Sequence, residues 1–479
     1  MSRPVRISVE LLLLVALTLW FASAPVGFSV LPGIICLLIA YIYLVLSFLR
    51  PMRVRGFHPS LFTVELLFQL FYFVIFFMPY QLALLGLQDL RVSSFVLNTF
   101  ADESNRAVIL AAVGIVAFNL GFGLVRHVPS QEDPSISATN WNTQGLQLIV
   151  LLAQAGLTVL YIGSGWRGAG EGRYTGSESG GAAADGTSLL ITMFSMIGAV
   201  IALAPPPPGR FRRLNALGMA SIGLGGWWAL RTLVLGDRNT FLLWAITIAA
   251  SLAIYHLRVG RVALVVGALA AFMLYNAIEY LRMHEGADFA ELLGAVWNPG
   301  GASGAVDSSF NITTISVRAG IDAVPNHIDF GLGAYKLLGI AGIVPLVRGA
   351  LFSPSSAFST TGDILTYWMI GPTAGWSVGT NVVSDIYIDF GVVGVAIGMC
   401  AVGIFGAAIS RWFSRAPTDL PRQVIYVLVV SCYAQLPRYA LDFPIRILVW
   451  SGTLLVVWSI WSRAALRRKG VTVETRVRG

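Results

Sequence analysis

The sequence predicts an all-α polytopic membrane protein with about twelve transmembrane helices and a large extracytoplasmic loop region that contains short helices. Hydrophobic residues make up 56% of the 479 residues and charged residues only 12%, whereas a soluble globular protein has roughly 25% charged residues. The basic residues form short clusters between long apolar runs and not one polar domain, so the net charge of +8 does not indicate nucleic-acid binding.

The apolar runs divide the chain into twelve predicted spans and one long polar interruption. Residues 1–23 have the basic start and apolar run of a signal peptide, but no small-residue cleavage site precedes a polar domain, so this segment is interpreted as the first span. The spans before the interruption cover residues 10–24, 28–49, 61–85, 107–124, 146–162, 189–203, 216–235, 241–257 and 262–281. The spans after it cover residues 390–409, 424–436 and 445–461.

The basic residues also orient these spans. If the N-terminus with Arg3 and Arg6 is cytoplasmic, alternate loops place most of the 32 Lys and Arg residues inside and most of the 24 acidic residues outside. This asymmetry is the one that the positive-inside rule predicts. The predicted organisation is an N-terminal bundle at 1–278, an outer loop region at 279–389, C-terminal helices at 390–462 and a cytoplasmic basic tail at 463–479.

Four outer regions are long or polar enough to matter: 87–106, 163–186, the tight turn at 236–239 and the 279–389 region. The 163–186 loop is rich in Gly and Ser, and such loops often become ordered when a ligand binds. The 279–389 region is the longest of the four. Within it, 335–351 and 364–375 are apolar but short, so we expect helices that lie at the membrane interface or re-enter the membrane.

The candidate chemistry rests on arginine. The sequence contains no Walker loop, no HExxH, no GxSxG and no Cys/His metal spacing, so the residues give no support for ATP use, metalloprotease activity or serine hydrolysis. Lys336 and Lys469 are the only lysines. Outer arginines run against the positive-inside rule, and a guanidinium binds phosphate oxygens in a bidentate manner. The outer candidates are Arg167, Arg173, Arg238, Arg282, Arg318, Arg438 and Arg446.

A structural role competes with the functional one for several candidates. Asp237 beside Arg238 offers a simple ion pair. Asp385 and Asp389 are four residues apart and lie on one helix face, where one could act as a general base or both could stabilise a helix N-terminus. His327 is either a proton shuttle or an ordinary surface residue. The residues alone leave these alternatives open.

Two motifs, GDRNTF at 236–241 and GTNVVSDIYIDFGVVGVAIG at 379–398, resemble the Wzy-type oligosaccharide repeat-unit polymerases, as do the two large outer loops that carry arginine. The resemblance implies a GT-C-type glycosyltransferase in the bacterial inner membrane. It would join undecaprenyl-pyrophosphate-linked repeat units on the periplasmic face, for O-antigen, capsule or exopolysaccharide. It implies neither a cofactor nor a metal. The implied partners are lipid-linked oligosaccharides, the phospholipid bilayer and a chain-length regulator.

In the implied reaction, a hydroxyl of the incoming unit attacks the anomeric carbon of the donor glycan, and a lipid pyrophosphate leaves. Cationic side chains would stabilise its developing charge. We therefore expect catalytic roles for Arg318, Asp385 and His327. We expect substrate-binding roles for Arg173, Arg238, Arg282, Tyr174, Arg438 and Arg446.

Two other functions remain as alternatives. An O-antigen ligase-like glycosyltransferase would use the same donor with a different acceptor, and the residues do not separate it from a polymerase. A lipid-linked oligosaccharide transporter or flippase would have charged groups in the middle of its spans and two similar halves. The sequence has few mid-span charges and no obvious repeat, which favours the transferase.

Overall fold

The computed structural model describes residues 3–54, 57–93, 96–125, 143–168, 179–204, 215–283, 309–343, 358, 360–372 and 377–468. Within these ranges the chain forms sixteen α-helices and no β-strand. The first ten are α1 (Arg3–Ala22), α2 (Val30–Leu49), α3 (Val64–Phe76), α4 (Met78–Leu84), α5 (Ser104–Leu124), α6 (Thr143–Gly163), α7 (Gly181–Leu203), α8 (Ala216–Val234), α9 (Arg238–Tyr255) and α10 (Arg261–Met283). The remaining six are α11 (Ser309–Ala323), α12 (Ala334–Ala341), α13 (Thr361–Ile370), α14 (Val382–Arg415), α15 (Leu420–Gln435) and α16 (Asp442–Arg468).

Each of the twelve predicted spans contains a helix. Over the described residues, eight helices are long and apolar enough to cross a membrane, or nine if α3 and α4, which meet at a 46° bend, form one span. Helices α8, α10 and α15 do not meet that standard over their described residues. The predicted fold class is therefore confirmed, with fewer clear spans than the apolar runs suggested.

Helix α5 forms the centre of the bundle. In its apolar stretch of 18 residues, 83% of the residues are buried, as expected for a helix that is hydrophobic all round. It packs closely against α14 because both helices place a glycine at the contact. A Cβ atom on Gly121 would overlap the carbonyl oxygen of Cys400, and one on Gly403 would overlap that of Phe118. The small residues let the two backbones approach each other.

We expect Gly121→Ala to destabilise the protein. The added methyl group forces α14 away from α5, and such overpacking costs about 1–3 kcal/mol. The measurement is the melting temperature of the purified protein in detergent. Gly223→Ala in α8 is the matched control, since a Cβ there meets nothing within 4 Å. Equal melting temperatures for the two variants would show that the α5–α14 contact is loose.

The predicted outer loop region is more helical than its sequence suggested. Helix α11, which was not predicted, is not an exposed loop but packs on α3, α5 and α14. Hydrogen bonds attach it to the start of α14: Asn381 Nδ2 donates to Ser316 Oγ at 2.8 Å, and Ser384 Oγ donates to the Ser316 carbonyl at 3.3 Å. The helix is difficult to predict from the sequence because it buries Asn, Thr, Ser and Arg side chains among its apolar ones.

Helix α14 also begins earlier than the predicted span. Asn381 caps it by accepting a hydrogen bond from the Ser384 backbone at 2.8 Å, so the helix starts at Val382 instead of residue 390. Its regular geometry breaks at Gly391, whose φ of 66° and ψ of −165° are not helical. Asp385 and Asp389 therefore lie in a short helical segment before the break, and the long apolar part follows it.

Candidate functional site

A cluster of charged side chains lies at the first two turns of α14. Lys336 Nζ, from α12, lies 2.6 Å from Asp385 Oδ1 and 3.1 Å from Asp389 Oδ2. It also donates to the Asp385 carbonyl at 2.7 Å. The Asp389 side chain is fully buried and that of Asp385 is 5% exposed. A buried carboxylate pair needs a cation, and Lys336 supplies it.

Asp389 fixes the start of α12 as well. Its Oδ1 accepts hydrogen bonds from the backbone of Gly333 at 3.2 Å and Tyr335 at 3.4 Å. Gly333, with φ of 93°, adopts the left-handed conformation that glycine tolerates best. These bonds satisfy N–H groups that the first turn of a helix leaves free, so Asp389 and Lys336 together hold α12 against α14.

Asp385 connects α14 to α13 and to the start of α16, in addition to α12. Its Oδ1 accepts a hydrogen bond from Thr361 Oγ1 of α13 at 2.7 Å, and its Oδ2 accepts one from the backbone of Leu441, just before α16, at 3.0 Å. Both oxygens of the predicted base therefore have donors. In this arrangement Asp385 joins α12, α13, α14 and the start of α16, and a proton-accepting role would require one of these bonds to open.

Arg318, the predicted catalytic arginine, lies in the middle of α11 and is fully buried. Its Nη1 donates to the carbonyl of Leu90 at 2.9 Å and lies 3.5 Å from Ser104 Oγ. Its Nε and Nη2 have no hydrogen-bond partner among the described residues. Leu90 belongs to the segment that links α4 to α5.

Burial disfavours the charged form of Arg318. It lowers the pKa of the guanidinium, and the nearby Tyr80 hydroxyl offsets only part of this effect. No carboxylate in the described part of the chain forms an ion pair with it. A buried charge without a counter-charge is strongly disfavoured. An anion bound beside Arg318 would offset this cost.

Arg238 and Arg438 lie at the same end of another helix pair. Arg238 is buried in the first turn of α9, where Asp237 caps the helix instead of simply pairing with the arginine. Thr247 of α9 contacts Ser431 of α15 at 2.9 Å, and Tyr255 lies within electrostatic reach of Tyr426. Because the two contacts run in opposite chain order, the helices are antiparallel.

Arg438 follows α15 in the short 3₁₀ turn Leu436–Arg438, so it lies at the α9 end that carries Arg238. Helix α9 packs mainly on α7, α8 and α15, whereas α11 packs mainly on α3, α5, α13 and α14. The structure therefore does not place Arg238 and Arg318 on helices that pack together. Both side chains are nevertheless buried and neither faces bulk solvent.

The remaining predicted residues divide into two groups. Arg446, in the first turns of α16, forms an ion pair with Asp442 at 2.7 Å. His327 is exposed, and its ring centroid lies 5.3 Å from that of Trp368.

Arg173 and Tyr174 lie outside the described residues. Arg282 belongs to the last turn of α10, and its side chain is not described.

Sequence reasoning missed Lys336 as a site residue. The signal was present, since the chain uses arginine for almost all its positive charge and places one of its two lysines in an apolar segment. An ammonium group can reach two carboxylates four residues apart, and its three hydrogens can point in different directions. What the sequence could not give was the contact between segments about fifty residues apart.

These features define a polytopic α-helical membrane protein with buried cationic and carboxylate groups at one end of its helix bundle. The family model of the O-antigen polysaccharide polymerase Wzy matches residues 227–467, just over half of the chain, and the match contains α9 to α15 and all of α16 except its last residue. The chain therefore belongs to the Wzy O-antigen polysaccharide polymerase family. No curated protein and no solved structure matches it significantly.

Proposed function

We propose that the protein polymerises oligosaccharide repeat units carried on undecaprenyl pyrophosphate, at the periplasmic face of the bacterial inner membrane. Family membership supports a glycosyltransferase-type O-antigen polymerase in general. The observation that supports a lipid-diphosphate donor is Arg318, a buried guanidinium with two nitrogens that have no hydrogen-bond partner among the described residues. A lipid diphosphate is an anion that would reach such a group from the membrane.

The proposed reaction needs few protein groups. The acceptor hydroxyl forms a bond to the anomeric carbon of the donor glycan, while the bond from that carbon to the diphosphate oxygen breaks. The acceptor proton passes to a base, for which Asp385 and His327 are the candidates, and the diphosphate keeps the electron pair. Arg318 stabilises the leaving charge in a site that excludes water, where electrostatic stabilisation is strong. Arg238, Arg438 and Arg446 are proposed to contribute further positive charge to substrate binding, Arg238 from a helix pair that does not pack on α11.

The orientation follows from charge. With both termini in the cytoplasm, the end of the bundle that carries Arg238, Arg318, Asp385 and Arg438 faces the periplasm, and the basic clusters face inward. Because Arg318 is fully buried and donates a hydrogen bond to the Leu90 carbonyl, donor binding requires the residues around the guanidinium to move. A chain-length regulator in the same membrane would act on the product from outside this site.

The test is polymerisation by the purified protein. The protein in lipid nanodiscs is mixed with one undecaprenyl-pyrophosphate-linked repeat unit, with neither a nucleotide sugar nor a divalent metal added. We expect a ladder of products that differ by one repeat unit. A parallel reaction with lipid A–core as acceptor separates the alternatives. Transfer to lipid A–core without a ladder would identify a ligase, and a protein that forms no new glycosidic bond would contradict the proposal.

A further inference from the structure

A group of aromatic side chains lies on the surface between α11 and α13, outside the charged cluster. The Trp368 ring centroid lies 5.3 Å from that of His327 and 5.7 Å from that of Tyr367. The indole Nε1 donates to Asp322 Oδ2 at 3.0 Å, which fixes the ring. We call His327, Tyr367, Trp368 and Asp322 the aromatic ledge.

The ledge is open to a ligand. Tyr367 is 43% exposed and His327 is exposed, whereas Trp368 is half-buried against the core. The Thr366 hydroxyl on the same helix contacts Ser377 Oγ at 3.1 Å and accepts a hydrogen bond from the Val378 backbone at 3.2 Å, so α13 is held in place. Rigid aromatic surfaces with a few fixed polar groups are typical of small-molecule sites.

The charged residues near the aromatic ledge are acidic, and this favours a neutral ligand over an anionic one. In residues 319–331 and 360–372 the charged side chains are Asp322, Asp329 and Asp363, and the basic residue next to these ranges, Arg318, is fully buried. Like charges repel, so the surface disfavours a diphosphate and an anionic lipid headgroup. A sugar ring fits better, because its C–H face packs on an aromatic ring and its hydroxyl groups donate to carboxylates.

The position of the ledge agrees with the proposed chemistry. Asp322 follows Arg318 by four residues, so both lie on one face of α11, about 6 Å apart along the helix axis. A diphosphate held by Arg318 would therefore place the sugars attached to it next to the aromatic rings. We infer that the aromatic ledge binds the glycan of the lipid-linked substrate by stacking. This inference rests on the proposed function.

The test is binding of the repeat-unit oligosaccharide alone, released by mild acid from its lipid carrier and freed of phosphate. Isothermal titration calorimetry with the full-length protein in nanodiscs measures the affinity. We expect Tyr367→Ala to weaken binding about tenfold. Tyr367→Phe, which keeps the ring, should bind like the wild type. Trp461→Ala, which removes an aromatic ring of α16 that is 56% exposed, is the matched control and should leave the affinity unchanged.

Two results would overturn the inference. One is a wild-type protein that does not bind the oligosaccharide. The other is a Tyr367→Ala variant that binds it normally, which would make the ledge a membrane-interface anchor. Neither result depends on polymerisation. If the protein forms a product ladder but Tyr367→Ala does not change glycan binding, the aromatic ledge is not the glycan site and the proposed function stands. If Tyr367→Ala weakens glycan binding but the protein forms no ladder, the aromatic ledge is a glycan site and the proposed function is wrong.

Discussion

We expect Arg318→Met to abolish polymerisation and to leave the protein folded. The loss should be at least about a hundredfold, the usual effect of removing one group that stabilises a developing anion. Stability should stay the same or rise, because the variant removes a fully buried charge that has no counter-charge among the described residues. The hydrogen bond to Leu90 is lost as well, at a cost of about 1 kcal/mol. Product ladders and melting temperatures measure the two effects.

Two further variants show whether the loss of activity is specific to the guanidinium of Arg318. Arg318→Lys keeps the charge, but an ammonium lacks the planar fork of the guanidinium and cannot reach a diphosphate and Leu90 in the same way. It should fold and should lose most of the activity. Arg422→Met changes an arginine in the first turn of α15, at the other end of the bundle, and should remain active. An active Arg318→Met variant would assign Arg318 a purely structural role.

Lys336→Met should be the most destabilising single change in the charged cluster. It leaves the buried carboxylates of Asp385 and Asp389 without their cation, and breaking a buried pair in this way costs about 3–5 kcal/mol. The melting temperature in detergent should fall sharply. It should recover in part in the double variant Lys336→Met/Asp389→Asn, because removing one carboxylate removes part of the repulsion.

Arg446→Met provides the comparison. The Arg446 and Asp442 side chains are 29% and 27% exposed, and such an ion pair contributes about 0–1 kcal/mol. It should melt close to the wild type. If Lys336→Met also melts close to the wild type, the cluster does not hold α12, α13 and α16 together. Asp385 would then be free to act as a base.

The sequence was sufficient for the fold class and for the helix in each predicted span, because apolar length is a local property. It was not sufficient for α11. That helix buries Asn311, Ser316 and Arg318, and a polar pattern of this kind also describes an exposed loop. The contacts of Asp385 with Thr361 and Leu441 depend on tertiary packing, so the spacing of the carboxylates indicated a shared helix face but not what the face contacts.

The most direct measurement of the central claim is the amount of undecaprenyl pyrophosphate released for each glycosidic bond formed. Purified protein in nanodiscs is supplied with a radiolabelled lipid-linked repeat unit, and free lipid diphosphate and product ladder are quantified together. We expect one lipid diphosphate per new linkage with the wild type and neither product with Arg318→Met. Linkages formed without lipid diphosphate release would exclude a lipid diphosphate as the leaving group, and a full ladder from Arg318→Met would exclude the proposed role of Arg318.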